Sequence, residues 1–171
     1  MPGRNLALIG FMGVGKSTIG RLLADNLGYN YCDTDQLIQH TARKTIARIF
    51  AEDGEAAFRK IERSVIAEVS SLDRQVISTG GGAALDIENV NNLRKSCTIF
   101  LLIARAHEIL RRVGDTRSRP LLADTIDPKA RIEELLTERM PRYAAAADYM
   151  IITSGKHPAD ICAEILNLVA E

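Results

Sequence analysis

The sequence predicts an α/β fold in which five short strands form one parallel sheet and alternate with helices. Three observations carry this prediction. Five apolar runs of β character, Leu6 to Ile9, Tyr29 to Cys32, Val76 to Ser78, Thr98 to Ile103 and Tyr149 to Thr153, are separated from one another by segments of helical period. Gly10 to Thr18 read Gly-Phe-Met-Gly-Val-Gly-Lys-Ser-Thr, a P-loop lying between the first strand run and the first helical pattern, which is the setting such a loop requires. The 171 residues hold no internal repeat, low-complexity tract or Pro/Gly linker, so residues 1–171 read as a single domain with one buried core.

The first run leads into residues 10–18, where glycines at 10, 13 and 15 let successive backbone N–H groups curl around a phosphate chain. Lys16 is placed to neutralise β- and γ-phosphates, and Ser17 offers a hydroxyl oxygen to Mg²⁺. The helix starting near Gly15, with Ile19, Leu22 and Leu23 on its apolar face, adds the positive end of its dipole. Nucleotide binding follows.

The second run ends in Cys-Asp-Thr-Asp, so Asp33 and Asp35 fall at a carboxyl edge of the sheet, where open α/β folds place ligand contacts. One carboxylate can anchor Mg²⁺ through water while the other takes a hydrogen bond or proton from an attacking hydroxyl. The alternative is that either aspartate simply caps the next helix. A helix from about Glu55 to Leu72 carries the stripe Phe58, Ile61, Val65 and Val69, with Arg59 beside it. Glu55 and Glu62 are spaced to hold the Arg59 fork, which leaves two readings open: an anion-binding arginine, or an internal salt bridge.

Gly80, Gly81 and Gly82 follow the third run and permit close backbone approach to a ligand; a plain flexible turn is the alternative. Ser78 and Thr79 end that strand without an acidic residue, so a metal must lean on Ser17, Asp33 and phosphate oxygens. Beyond the fourth run, Val113 to Ile126 has no sustained period and only Leu121 and Leu122 as apolar anchors. Arg111, Arg112, Arg117 and Arg119 crowd its start. The segment, about 113–126, reads either as a solvated surface turn or as a mobile lid that brings cations to a polyphosphate and excludes water. In the helix that follows, Arg139 shares the stripe of Leu135, Leu136, Met140 and Tyr143, and an inward guanidinium demands an anion. The last helix carries Ile161, Ile165 and Leu168, with Pro158 in its first turn.

Lys plus Arg equal Asp plus Glu at 22 each, so no whole-molecule field favours nucleic acid or an anionic membrane. Cys32, Cys97 and Cys162 are odd in number and widely spaced, as expected of reduced thiols in a cytoplasmic protein. The apolar stretches are too short to span a bilayer, and no export signal is apparent.

Taken in order, Gly-Phe-Met-Gly-Val-Gly-Lys-Ser-Thr at 10–18, Asp-Thr-Asp at 33–35, Phe-Arg-Lys-Ile-Glu at 58–62, Gly-Gly-Gly at 80–82, Arg-Pro-Leu-Leu at 119–122 and Arg139 before Tyr143 resemble the shikimate kinases over nearly the whole chain. The resemblance implies a three-layer P-loop fold of the nucleoside-monophosphate-kinase type with strand order 2-3-1-4-5, monomeric. It implies phosphorylation of the shikimate 3-hydroxyl by ATP with Mg²⁺, in the route to chorismate and the aromatic amino acids. By the same resemblance Lys16 and Arg119 stabilise the transferring phosphoryl group, and Gly13, Val14, Gly15, Ser17 and Thr18 grip the phosphates. Ser17 and Asp33 organise the magnesium, and Arg112 and Pro158 sandwich adenine. Asp35 binds shikimate hydroxyls and orients or deprotonates the nucleophile, within an acceptor-binding helical region of about 33–62. Arg59, Arg139 and the backbone of Gly80, Gly81 and Gly82 hold the acid. Two rival readings stand beside this one. A gluconate or nucleoside monophosphate kinase would share the fold, although paired aspartates suit vicinal hydroxyls better than a nucleotide. A regulatory module using ATP only as a ligand would be expected to lack Lys16, Asp35 or Arg119, and all three are present.

Overall fold

β1 (Asn5–Ile9) is the middle strand of the sheet and is buried along its whole length. A strand covered on both faces needs no alternation, which is why it reads as an unbroken apolar run. Around it lie β2 (Asn30–Asp33), β3 (Gln75–Ser78), β4 (Cys97–Ile103) and β5 (Tyr149–Ile152), all parallel, in the order β2-β3-β1-β4-β5. The computed structural model describes residues 4–116, 121–123 and 125–170.

Observed strands begin a residue or so away from the apolar runs, and Asn5 shows why. Its Nδ2 donates to the Leu72 carbonyl at 2.6 Å, while its Oδ1 accepts from the Gln75 backbone N–H at 2.8 Å. Satisfied in this way, a polar residue sits buried in the ladder at little cost.

The helices are α1 (Lys16–Leu27), α2 (Thr34–Ala42), α3 (Ile46–Glu52), α4 (Gly54–Ser71), α5 (Ile87–Ser96), α6 (Ala106–Val113), α7 (Pro128–Ala146) and α8 (Pro158–Ala170), with a short 3₁₀ turn at Ala83–Leu85. Right-handed crossovers assign them to layers. The step from β1 to β2 runs opposite to the steps from β2 to β3, β3 to β4 and β4 to β5, so α1 covers one face and α4, α5 and α7 the other. α8 packs on α1. α7 continues through Pro141, which removes one backbone hydrogen bond without ending the helix.

Two apolar clusters hold the domain. The larger is centred on β1 and β4, where Leu6, Leu8, Ile9 and Phe100 are fully buried, each contributing about 1.5–3 kcal/mol of burial free energy. The smaller joins α2, α3 and α4 through Ile38, Ile49, Phe58 and Val65, with the Phe50 and Phe58 ring centroids 4.7 Å apart. This second cluster gives the 33–62 region its own footing beside the sheet.

Register aligns the functional ends of the strands. Leu8 lies opposite Ser78 and Phe100, and Asp33 opposite Ser78. The P-loop, the Asp33–Asp35 corner and the Gly80–Gly82 turn therefore emerge side by side at one carboxyl edge. Between α6 and α7, Leu122 is buried as an anchor, whereas Leu121 is 39% exposed and Ile126 wholly exposed. Arg117, Ser118, Arg119, Pro120 and Asp124, and with them the centre of the expected lid, lie outside the described residues. Among the described residues no helix is long and apolar enough to cross a membrane. The three cysteines are free thiols, and burial together with nearby Asp33 pushes Cys32 up to about 12.

Candidate active site

The P-loop is shaped by its glycines and closed by its lysine. Gly10, at φ 133°, approaches the backbone so closely that a Cβ there would lie 2.5 Å from the Leu102 carbonyl oxygen. Lys16 Nζ, largely buried, donates to the carbonyls of Gly10 and Phe11 at 2.8 Å each, folding its side chain back across the loop it follows. Gly15 caps α1 with no side-chain acceptor, and the first turn of α1 carries no acid. No capping side chain competes with an anion there. Ser17 and Thr18 are exposed at that turn.

Asp33 does two things at once. Its Oδ1 accepts from the backbone N–H groups of Asp35 at 3.0 Å and Gln36 at 3.3 Å, capping α2. Its Oδ2 faces the other way, 3.4 Å from Ser17 Oγ and 3.5 Å from the Tyr31 hydroxyl. The helix cap therefore uses one oxygen of Asp33 and leaves the other beside Ser17 at the P-loop. Among the described residues no group of three or more His, Cys, Asp or Glu gathers to hold a metal ion. Ser17 and Asp33 are hard oxygen donors beside a phosphate cradle, which suits an ion that keeps most of its waters.

Asp35 and Arg59 converge on the triple-glycine turn from α2 and α4. A Cβ on Gly80 would lie 2.6 Å from Asp35 Oδ1, and a Cβ on Gly82 would lie 3.0 Å from Arg59 Nη2. Arg59 Nη1 donates to Glu62 Oε1 at 2.8 Å, and Nη2 reaches Glu55 Oε1 at 3.5 Å. The internal ion pair is therefore present, and it leaves the guanidinium against the turn with 28% of the side chain exposed. Glu62 is 1% exposed; burial pushes its carboxyl above the usual carboxylate range, opposed by Arg59.

Arg139, from α7, lies against the P-loop. Its guanidinium lies over the Phe11 ring, 5.5 Å from the centroid, and beside the Tyr143 hydroxyl; it forms no ion pair with a carboxylate among the described residues. Tyr143, 1% exposed, donates to the Gly81 carbonyl at 2.5 Å and so ties α7 to the same turn. Thr79, at the end of β3, is structural: its Oγ1 and its backbone N–H both donate to the Leu8 carbonyl, at 3.0 and 3.1 Å.

Arg112 stands on the far side of the P-loop, donating to the Gly13 carbonyl at 3.2 Å, to Thr153 Oγ1 at 3.3 Å and to Glu108 Oε2 at 3.1 Å. Thr153, fully buried, also donates to the Val14 carbonyl at 3.1 Å. Pro158 opens α8 just beyond this brace. Arg119, expected to stabilise the transferring phosphoryl group together with Lys16, lies outside the described residues.

Sequence reasoning misses four parts of this site: the ring of Phe11 beneath Arg139, the Tyr143 hydroxyl on Gly81, the Thr153–Glu108 brace behind Arg112, and Asn89 behind Glu62. A buried tyrosine needs a partner for its hydroxyl, and Asn89 sits one before Val90 and four before Leu93 on a buried face. Both signals are legible along the chain. The Thr153 and Phe11 contacts are long-range and are not.

A parallel sheet whose central strand feeds a P-loop, with carboxylates and arginines converging across a glycine turn, defines a small-molecule kinase. The shikimate kinase family model matches residues 12–170. A shikimate kinase of Caldanaerobacter subterraneus is 44% identical over 163 residues, covering 95% of this chain and 94% of the relative. One from Trichormus variabilis is 41% identical over 169 residues, 99% of this chain and 92% of the relative. The solved shikimate kinase of Acinetobacter baumannii in complex with shikimate superposes with TM-score 0.91 at 35% identity, covering 98% of this chain and 93% of that one. The chain belongs to the shikimate kinase family.

Proposed function

We propose that this protein transfers the γ-phosphate of ATP to the 3-hydroxyl of shikimate, releasing shikimate 3-phosphate and ADP. The observation that carries the reading is the convergence of Asp35 and Arg59 on Gly80 and Gly82, with the P-loop alongside and Arg139 over its Phe11 ring.

Phosphoryl transfer asks the protein for position and electrostatic stabilisation more than for covalent chemistry. The unclaimed first turn of α1 and the P-loop amides from Gly13 to Thr18 hold the β- and γ-phosphates, and Lys16 exchanges its carbonyl partners for phosphate oxygens. Arg119 brings a second cation from the lid. Arg112 and Pro158 enclose the adenine. Ser17 and Asp33 are the oxygen donors that would hold Mg²⁺ here, and the ion would neutralise negative charge on the β- and γ-phosphates.

On the acceptor side Arg59 and Arg139 grip the carboxylate of the acid as charge-assisted pairs, and the backbone of Gly80, Gly81 and Gly82 lies along its ring. Asp35 accepts hydrogen bonds from the hydroxyls and orients the 3-hydroxyl in line with the γ-phosphate, taking its proton as the new P–O bond forms. The paired aspartates favour vicinal hydroxyls over a nucleotide acceptor.

Phosphorus NMR of a mixture of ATP, Mg²⁺, shikimate and protein tests this directly. One new phosphomonoester resonance, coupled to the proton on C3 and growing in step with ADP, is expected. Release of inorganic phosphate in place of a phosphomonoester would overturn the assignment.

A further inference from the structure

We infer that Asn89 is a positioning residue for acceptor binding: its side-chain amide locks the Arg59–Glu62 pair to the backbone at the end of the glycine turn. The inference rests on the acceptor site described above and names a residue that does not touch the substrate.

Asn89 lies near the start of α5 and is fully buried. Its Nδ2 is 3.3 Å from Glu62 Oε1 and 3.1 Å from the Ala83 carbonyl oxygen. Both neighbours are acceptors, so the amide must present its NH₂ group to them, and its two hydrogens are both used. The consequence is a buried Oδ1 with no hydrogen-bond partner among the described residues. Packing alone does not account for asparagine at this point, because leucine would fill a similar volume and leave no oxygen stranded.

What the amide joins explains its presence. Glu62 Oε1 is the same atom that accepts from Arg59 Nη1 at 2.8 Å. Ala83 directly follows Gly82, against which the Arg59 guanidinium rests. One side chain thereby fixes the separation between the two halves of the acceptor grip, the arginine from α4 and the turn from β3. Tyr143 performs the corresponding task for α7 through Gly81.

The amide also favours the ionised form of Glu62. Burial disfavours the carboxylate, while the Arg59 pair and the Asn89 donor favour it. The charged groups around it are Arg59, Arg63 and Glu55 on α4, Asp35 on α2, and Asp86 with Glu88 at the start of α5; Arg63 Nε is engaged by Asp86 at 2.7 Å. Loss of the donor pushes the carboxyl further up, and a protonated Glu62 no longer holds the guanidinium by charge.

Calorimetric titration of shikimate and of ATP, each separately, against the wild type, Asn89→Leu and Asn89→Asp tests the inference. For Asn89→Leu the shikimate Kd should rise roughly tenfold with ATP Kd nearly unchanged, and the acid-side weakening of shikimate binding should begin at higher pH than in the wild type. Asn89→Asp should behave oppositely with pH. Lowering the pH from about 8 to about 5.5 adds a proton to the coupled pair formed by the introduced carboxyl and Glu62, restores an O–H donor and improves shikimate binding relative to wild type. A folded Asn89→Leu protein with the wild-type shikimate Kd and pH profile, or with both ligands weakened alike, would overturn the inference. Should Asn89→Leu fail to fold, a pH-independent ratio between Asn89→Asp and wild type would do the same. The wild-type protein separates this result from the broader reading: if it does not bind shikimate, the proposed function fails; if it does and the variants match it, only the role of Asn89 fails.

Discussion

Gly80 and Asp35 are packed so closely that a Cβ on the glycine would lie 2.6 Å from the aspartate Oδ1. Gly80 is not among the residues of positive φ, so its backbone angles do not require glycine. What stands in the way of a side chain is the Asp35 carboxylate, which has to shift to admit one. Gly82 is the milder case: a Cβ there would lie 3.0 Å from the tip of Arg59, which has to yield by only a few tenths of an ångström.

Gly80→Ala should therefore displace Asp35 while leaving the P-loop untouched. Steady-state kinetics should show kcat/KM for shikimate reduced by roughly 100-fold, with ATP affinity within about twofold and a melting temperature close to wild type. Unchanged shikimate kinetics would mean that Asp35 need not hold its observed place.

Lys16→Met and Asp35→Asn should each lower kcat by about two to three orders of magnitude in a folded protein if, as proposed, Lys16 acts on charge developing in the transition state and Asp35 on the attacking hydroxyl. Single-turnover measurement with both substrates saturating distinguishes this from weaker binding. Near-normal turnover in both variants would remove the assigned chemistry.

Arg139→Ala should weaken shikimate by roughly 10- to 100-fold with little change in ATP affinity, since its guanidinium lies over Phe11 without a carboxylate partner among the described residues. Separate titrations of the two ligands would expose the opposite pattern.

Glu62 gives a prediction in pH. Its folded-state carboxyl is raised by burial, so the folded protein holds this proton at pH values where the unfolded chain has released it. The stability it contributes is present below the unfolded carboxyl value and is lost as pH rises through the folded one. Glu62→Gln removes that dependence. Thermal melts should show the variant gaining on wild type as pH rises from about 4 to 7, while its shikimate affinity falls because Arg59 has lost its charged anchor. A variant that loses stability relative to wild type over that range would contradict the sign.

β1, β3, β4 and the P-loop are legible in the sequence because each rests on a local pattern, an apolar run buried on both faces or a loop whose residues are fixed by phosphate chemistry. The edge strands β2 and β5 are partly exposed and are legible only as short apolar runs. Asp33, Asp35, Arg59 and Arg139 are legible as polar residues at places where the pattern expects apolar ones or ligand contacts. What they touch is not. Asp33 divides its two oxygens between a helix cap and the Ser17 hydroxyl, and no spacing along the chain shows that. The close approach of residues 35 and 59 to the glycines at 80 and 82 comes from other elements brought there by the sheet order. Thr153 reaches Val14 across 139 positions, a contact fixed only once β5 is placed beside β4.

The central claim is that this site recognises a small hydroxylated acid beside ATP. A coupled ADP-release assay across shikimate, gluconate and nucleoside monophosphates at matched concentrations tests it most directly. The account predicts turnover with shikimate alone above the ATP-only background; turnover with gluconate or a nucleoside monophosphate equal to or above that with shikimate would contradict it.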